Sequence, residues 1–198
     1  MPASTRPGGR TAAVRDAVLR AAADLLIEDG LEGIELTAVA QRAGVGKSTV
    51  YRRWGSVPGL VADLLVDMAD TSSPRPSTGA LRTDLLAQAK LVRRTLTDGR
   101  QGRLFKAIIA AATCDPVTAN ALADFYRNRI DEVSPVVVDA VARGEAPQGT
   151  DPAEVIRQLS APLYYRFLTD MRPLTTADAE RAVAVTMAAV DAGVFVKG

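Results

Sequence analysis

The sequence predicts an all-α chain of about nine helices, and three observations carry that prediction. Apolar residues recur at three- and four-residue spacings along most of the 198 residues. No segment alternates convincingly with the period of two that a half-buried strand requires. Candidate caps and breakers fall at the ends of the periodic segments.

Composition narrows the chemistry. Hydrophobic residues at 47% and charged residues at 24% describe a globular chain with enough apolar surface for a core. Histidine is absent, which excludes the Ser-His-Asp triad, imidazole acid–base work and histidine metal sites. One cysteine, Cys114, excludes an internal disulfide and a thiolate zinc site, and fits a reducing, cytosolic setting. No catalytic residue, metal site or cofactor follows from this inventory. The start, MPASTRPGGR, is basic but lacks the apolar run of a signal peptide. No stretch approaches the ~18 apolar residues needed to span a bilayer.

Taken in order, residues 11 to 29 carry Val14, Val18, Ala21 and Leu25 on one stripe, with Gly30 placed for a left-handed helix end. A short helix over 36–43 stops at Gly44, and another runs over 47–54. Ser56 is positioned to cap a helix over 57–70, with Pro58 tolerated in its first turn. Residues 71–80 read as a Pro/Ser/Thr/Gly linker. Beyond it, Leu81, Leu85, Ala89, Val92 and Leu96 form one stripe, and Leu104, Phe105, Ile108 and Ile109 another. Asp115-Pro116 and Asp151-Pro152 are helix starts, and Pro135 predicts a kink or a break. The last helix starts near Thr175, which with Asp178 has capping-box spacing.

Charge is balanced over the chain at +1 but not locally. The 27 residues from Leu36 to Ala62 contain no acid, while Arg42, Lys47, Arg52 and Arg53 lie among them. Two short helices joined at Gly44, the second basic, form a helix-turn-helix pattern. Gly44 provides the change of direction and Val45 the apolar contact. In the second helix Val50 and Trp54, four apart, face inward, which exposes Lys47, Ser48, Thr49, Arg52 and Arg53. Such a helix is built to enter a major groove. GVGKST is not a P-loop, because Gln41 stands where GxxxxGK[ST] needs its first glycine and no strand precedes it.

The segment TAVAQRAGVGKSTVYRRW resembles the recognition segment of the TetR-type family of bacterial transcriptional regulators. The echo lies in Val39-Ala40, Ala43-Gly44-Val45 and Thr49-Val50-Tyr51-Arg52-Arg53-Trp54, and it extends over about residues 11 to 65. A second echo, Ala161-Pro162-Leu163-Tyr164-Tyr165-Arg166-Phe167-Leu168, is similar to the penultimate helix of one class of C-terminal domain in that family.

The resemblance implies an N-terminal three-helix DNA-binding domain over 11–56 behind a flexible basic arm, 1–10. A larger helical domain for effector binding and dimerisation would span 57–198. It implies a regulator, a repressor, that binds a near-palindromic double-stranded DNA operator as a homodimer and is released by a small-molecule effector, in the cytoplasm on the nucleoid and not in a membrane. By position, Thr37, Tyr51 and Arg53 would contact phosphates. Lys47, Ser48, Thr49 and Arg52 would open and line the reading face, with Arg52 suited to guanine. Two positions depart from the family pattern: Glu35 replaces a Ser/Thr cap, and Val57 replaces a lysine. The second departure removes a phosphate contact, for which backbone N–H groups and Arg6 or Arg10 of the arm are candidate substitutes.

Further along, Phe105, Phe125, Tyr126 and Tyr165 are candidate effector-pocket residues, since such pockets are apolar with a few polar handles. Ile156, Leu159, Leu163 and Phe167, with Val183, Met187, Val190 and Val194, form the two stripes expected at a dimer interface. The competing reading is a helical small-molecule binder or enzyme that keeps a helix-turn-helix as scaffold.

Overall fold

The computed structural model describes residues 7–70 and 78–197, without the side chains of residues 7–10, Glu32 and Asp70. Ten helices occur among them: α1 (Pro7–Gly33), α2 (Leu36–Ala43), α3 (Lys47–Trp54), α4 (Val57–Asp70), α5 (Leu81–Thr97), α6 (Gln101–Ala112), α7 (Pro116–Val133), α8 (Pro135–Arg143), α9 (Pro152–Thr169) and α10 (Thr176–Asp191). The count exceeds nine because Pro135, which has no N–H to donate, interrupts the helical bonding between α7 and α8 while Ser134 keeps helical backbone. The only β feature among the described residues is an isolated bridge between Thr150 and Val196.

Two compact units form. In the first, which holds α1–α4 and residues 103–125, α2 packs on α1, α3 on α2, and α4 on both α1 and α3. Val18 and Leu26 of α1, Val39 of α2, Val50 of α3 and Leu60 of α4 are among its most deeply buried side chains. Apolar contact of this kind is non-directional, so it sets which face of each helix turns inward while tolerating small rotations. The second unit, residues 78–102 and 126–197 of the described chain, is built on α5, α9 and α10 packed against one another, with α8 against α5 and α9.

Helix ends follow local chemistry in most cases. Asp115 Oδ2 accepts from Thr118 N at 2.6 Å, Asp151 Oδ1 from Ala153 N at 2.9 Å, and Ser56 Oγ from Gly59 N at 3.2 Å. Thr175 and Asp178 form the complete capping box. Gly44 adopts the left-handed conformation, φ 64°, that turns α2 into α3. Gly59 serves close approach: a Cβ there would lie 2.6 Å from the Trp54 carbonyl oxygen, so only glycine lets α4 begin against the end of α3.

Both ends of α1 differ from the sequence reading. Pro7–Arg10, read as part of the arm, form the first turn of α1, because proline suits a first turn. Residues 1–6, including Arg6, and linker residues 71–77 lie outside the described residues. Gly30, at φ 71° and ψ −173°, leaves the helical conformation as expected, but a further turn continues to Gly33. At α5 the N-cap Ala80 offers no side-chain acceptor, and Glu145, 64 residues away, accepts from Leu81 N at 2.6 Å instead. Thr175→Ala removes one side of the capping box, and a thermal melt of that variant is expected to show a loss of about 1 kcal/mol.

Candidate nucleic-acid interface

The α2–α3 pair presents one exposed polar face. Val50 and Trp54 turn α3 toward the core, which leaves Lys47, Ser48, Tyr51 and Arg52 on its outer side, with Thr49 half-buried. Lys47, Ser48 and Arg52 engage no other side chain among the described residues, so their polar groups face solvent. Two of the four cations in the acid-free run are committed elsewhere. Arg42 pairs with Glu28 of α1 at 2.8 Å, and the Arg53 guanidinium stacks 5.1 Å from the centre of the Trp54 ring. The run therefore contributes two open cations and one cation held over an aromatic face.

Thr37, at the second position of α2, and Tyr51, on α3, are brought together: their hydroxyl oxygens lie 3.4 Å apart. Both hydroxyls are accessible, and they sit beside the start of α2, where the first backbone N–H groups have no helical partner. Two hydroxyls, free amides and a helix N-terminus form a set suited to an oxyanion. Glu35, which stands where a capping side chain was expected, has extended backbone at the N-cap and makes no side-chain cap. Val57 begins α4 half-buried and offers no charge, as its side chain requires.

Beneath this face lies a polar node that sequence reasoning missed. Trp54 Nε1 donates to Asp63 Oδ2 at 2.8 Å, and Arg15 Nη2 bonds Asp63 Oδ1 at 2.9 Å. Arg15 Nη1 also reaches Asp67 Oδ1 at 2.6 Å, one turn further along α4. Partial burial pushes the Asp63 carboxyl up, but the bonds from Arg15 and Trp54 outweigh it and hold the group below the usual carboxylate range. Spacing offered one clue: Asp63 is the acid that ends the acid-free run.

Residues 18–64 match the family model described as bacterial regulatory proteins, tetR family, and residues 75–186 match that of the tetracyclin repressor-like C-terminal domain. The chain belongs to the tetR family of bacterial regulatory proteins. It is 32% identical to the DNA-binding transcriptional repressor TetR of Mycobacteroides abscessus, over 84% of this chain and 88% of that one. The uncharacterized HTH-type transcriptional regulator YdeS of Bacillus subtilis is 29% identical over 83% of each. The crystal structure of the TetR family transcription regulator SCO0332 superposes with a TM-score of 0.70 at 28% identity, over 89% of this chain and 98% of that one.

The chain is thus a DNA-binding transcriptional regulator, and the scaffold-only reading of its helix-turn-helix falls. Members of the tetR family bind DNA operators and small-molecule effectors, typically as dimers. Among the described residues no helix is long and apolar enough to cross a membrane.

The structure redistributes the residues read as pocket and interface. Phe105 and Phe125 meet, with ring centroids 5.7 Å apart, and both are buried. Tyr126 meets Tyr164 edge-on at 5.4 Å, whereas Tyr165, the tyrosine chosen from sequence, is 69% exposed. Adjacent helical residues point about 100° apart, and the pattern did not decide which of the two turned inward. Burial raises the Tyr126 phenol to about 12 against a smaller lowering by its bond with Tyr164, and burial likewise raises Tyr164. Both remain neutral at physiological pH.

The residues read as interface stripes fall mostly inside the protomer. Ile156, Leu159 and Leu163 of α9 and Val183, Met187 and Val190 of α10 are buried within the protomer, where α9 and α10 pack on each other and on α5. Phe167 is half-buried, close to Gly102. Val194 is not on the stripe at all: α10 ends at Asp191, Gly193 turns at φ 69°, and Val194 is 67% exposed. The most apolar stripe of a helix goes to the chain's own core first. Leu159→Ala is expected to cost 2–5 kcal/mol of stability as a core deletion, measurable by denaturant titration.

Proposed function

We propose that the chain is a repressor that reads a near-palindromic operator as a homodimer and leaves it on binding a small-molecule effector. The observation that carries this reading is the outer face of α3, where Lys47, Ser48, Tyr51 and Arg52 are exposed together while Val50 and Trp54 anchor the opposite side. Lys47, Ser48, Thr49 and Arg52 then meet base edges, with Arg52 reaching one guanine through its two parallel donors. Thr37 and Tyr51 share one phosphate, and Arg53 meets another, which sets the register of the protein on the duplex. Repression draws support from the repressor of Mycobacteroides abscessus, similar over most of its length. A regulator occupying its operator resides with the chromosome.

Dimerisation uses the sides of α9 and α10 that the protomer leaves exposed. On α9 these are Ala161, Tyr165 and Leu168; on α10, Ala177, Ala184, Val185 and Ala188. Small side chains allow two helices to approach closely, and a ring such as Tyr165 fills the space between them. The effector draws contacts from the half-buried Tyr126–Tyr164 pair, where two neutral phenols supply hydrogen bonds without requiring a charged partner.

The deciding experiment is affinity selection of sheared bacterial genomic DNA on the purified protein at near-physiological salt. An inverted repeat is the expected product and becomes the probe for an effector screen. Recovery without sequence preference, lost at modest salt, would reduce α3 to a charged surface. On the recovered probe, Tyr51→Phe is expected to weaken binding evenly across sequences. Arg52→Ala is expected to relax preference at one base position, by about 1–3 kcal/mol. Light scattering of Val185→Glu is expected to give half the mass of the parent protein, while an unchanged mass would move the interface elsewhere.

A further inference from the structure

We propose that Asp63 is a positioning residue for operator reading: its carboxylate fixes Trp54, and through Trp54 the rotation of α3 and the direction of Arg53, against α1 and α4. The inference rests on α3 as the reading helix and adds what holds that helix in register.

A helix of eight residues between Gly46 and Gly55 has little of its own to fix its rotation. Gly46 supplies no side-chain cap, and Gly55 at φ 72° is a joint that other residues rarely adopt. The packing of Val50 is apolar and tolerates small rotations. The contact between the Thr37 and Tyr51 hydroxyls, at 3.4 Å, is long and exposed. Against these, the Trp54 Nε1 bond to Asp63 Oδ2 is short at 2.8 Å, directional and part-buried. Gly59 adds to it by letting the first turn of α4 rest against the Trp54 carbonyl.

The acceptor is itself immobilised. Arg15 donates from Nε to Asp63 Oδ2 at 3.2 Å, from Nη2 to Oδ1 at 2.9 Å, and to the Asp63 carbonyl oxygen at 3.3 Å. Its remaining arm holds Asp67 at 2.6 Å. One guanidinium therefore clamps two successive turns of α4 to α1, and leaves one carboxylate oxygen shared with the indole. Over the face of that indole the Arg53 guanidinium stacks at 5.1 Å from its centre. Four residues on three helices, Arg15, Asp63, Trp54 and Arg53, thus connect the body of the unit to the DNA-facing surface.

The test selects from a random-sequence duplex library with the full-length protein and with Asp63→Ala, Asp63→Asn and Trp54→Phe. Each variant is also followed by circular dichroism melts. Trp54, the chain's single tryptophan, reports the node directly through its emission and its quenching by acrylamide. Asp63→Ala is expected to stay helical, shift the Trp54 emission, and bind the parent's selected motif about tenfold or more weakly. Its affinity for unrelated duplex should stay within about twofold or rise, because a negative charge is gone. Asp63→Asn keeps an acceptor for the indole and should recover most of the specificity; Trp54→Phe, which keeps an aromatic ring in place, should not. If Asp63→Ala does not fold, the Asn and Phe variants make the same comparison.

A lower melting temperature with the same motif and the same ratio of specific to unrelated binding would overturn the inference and reduce the node to a structural one. Unchanged Trp54 emission in Asp63→Ala would do the same. A parent protein that selects no motif would overturn the reading-helix assignment, and this inference with it, which separates the two failures.

Discussion

A buried indole N–H needs an acceptor, and much of the N-terminal unit is organised around meeting that need for Trp54. The ring closes the core beneath α3, so its polar edge must be satisfied from within the chain. Asp63 satisfies it, and a carboxylate with restricted access to water needs its own partner in turn. Arg15 is that partner, and its bonds tie α1 to α4. One desolvation problem thus fixes the fine register of three helices that apolar packing has already brought together. The absence of a side chain at Gly59 belongs to the same solution, since α4 could not otherwise start so near the Trp54 carbonyl.

The second unit solves a different problem. Its helices carry more apolar surface than one stripe each, and the strongest stripes of α5, α9 and α10 are consumed by packing on one another. What remains outside is a weaker face of alanines with Tyr165, Leu168 and Val185. Its polar ends are managed from a distance. Glu145 caps α5, which has no cap of its own, and Asp151, besides capping α9, pairs with Lys197 near the end of the described chain at 3.1 Å. The backbone of residues 149–151 is held to that same end segment by bonds to Phe195 and Lys197.

The helix order, α3 with its two anchors, and most of the caps were legible in the sequence because each depends on residues a few positions apart. Gly44, Ser56, Asp115, Asp151 and the Thr175–Asp178 box act within one turn of where they stand, and Val50 and Trp54 mark the inward side of α3 by spacing alone. The family pattern is local for the same reason, since it is written over the contiguous segment from Val39 to Trp54.

Tertiary structure alone decided whatever required a choice of partner. Periodicity identified apolar stripes on α9 and α10 but not the surface that would cover them, and the protomer's own core took them. It found a tyrosine pair at 164 and 165 without saying which ring turned inward toward Tyr126. Glu145 and Asp63 are two ordinary acids in the sequence; distances of 64 and 48 residues separate them from Leu81 and Arg15. Hydrogen bonds over such separations exist only after the helices have packed, because their geometry is set by the fold and not by the chain between them.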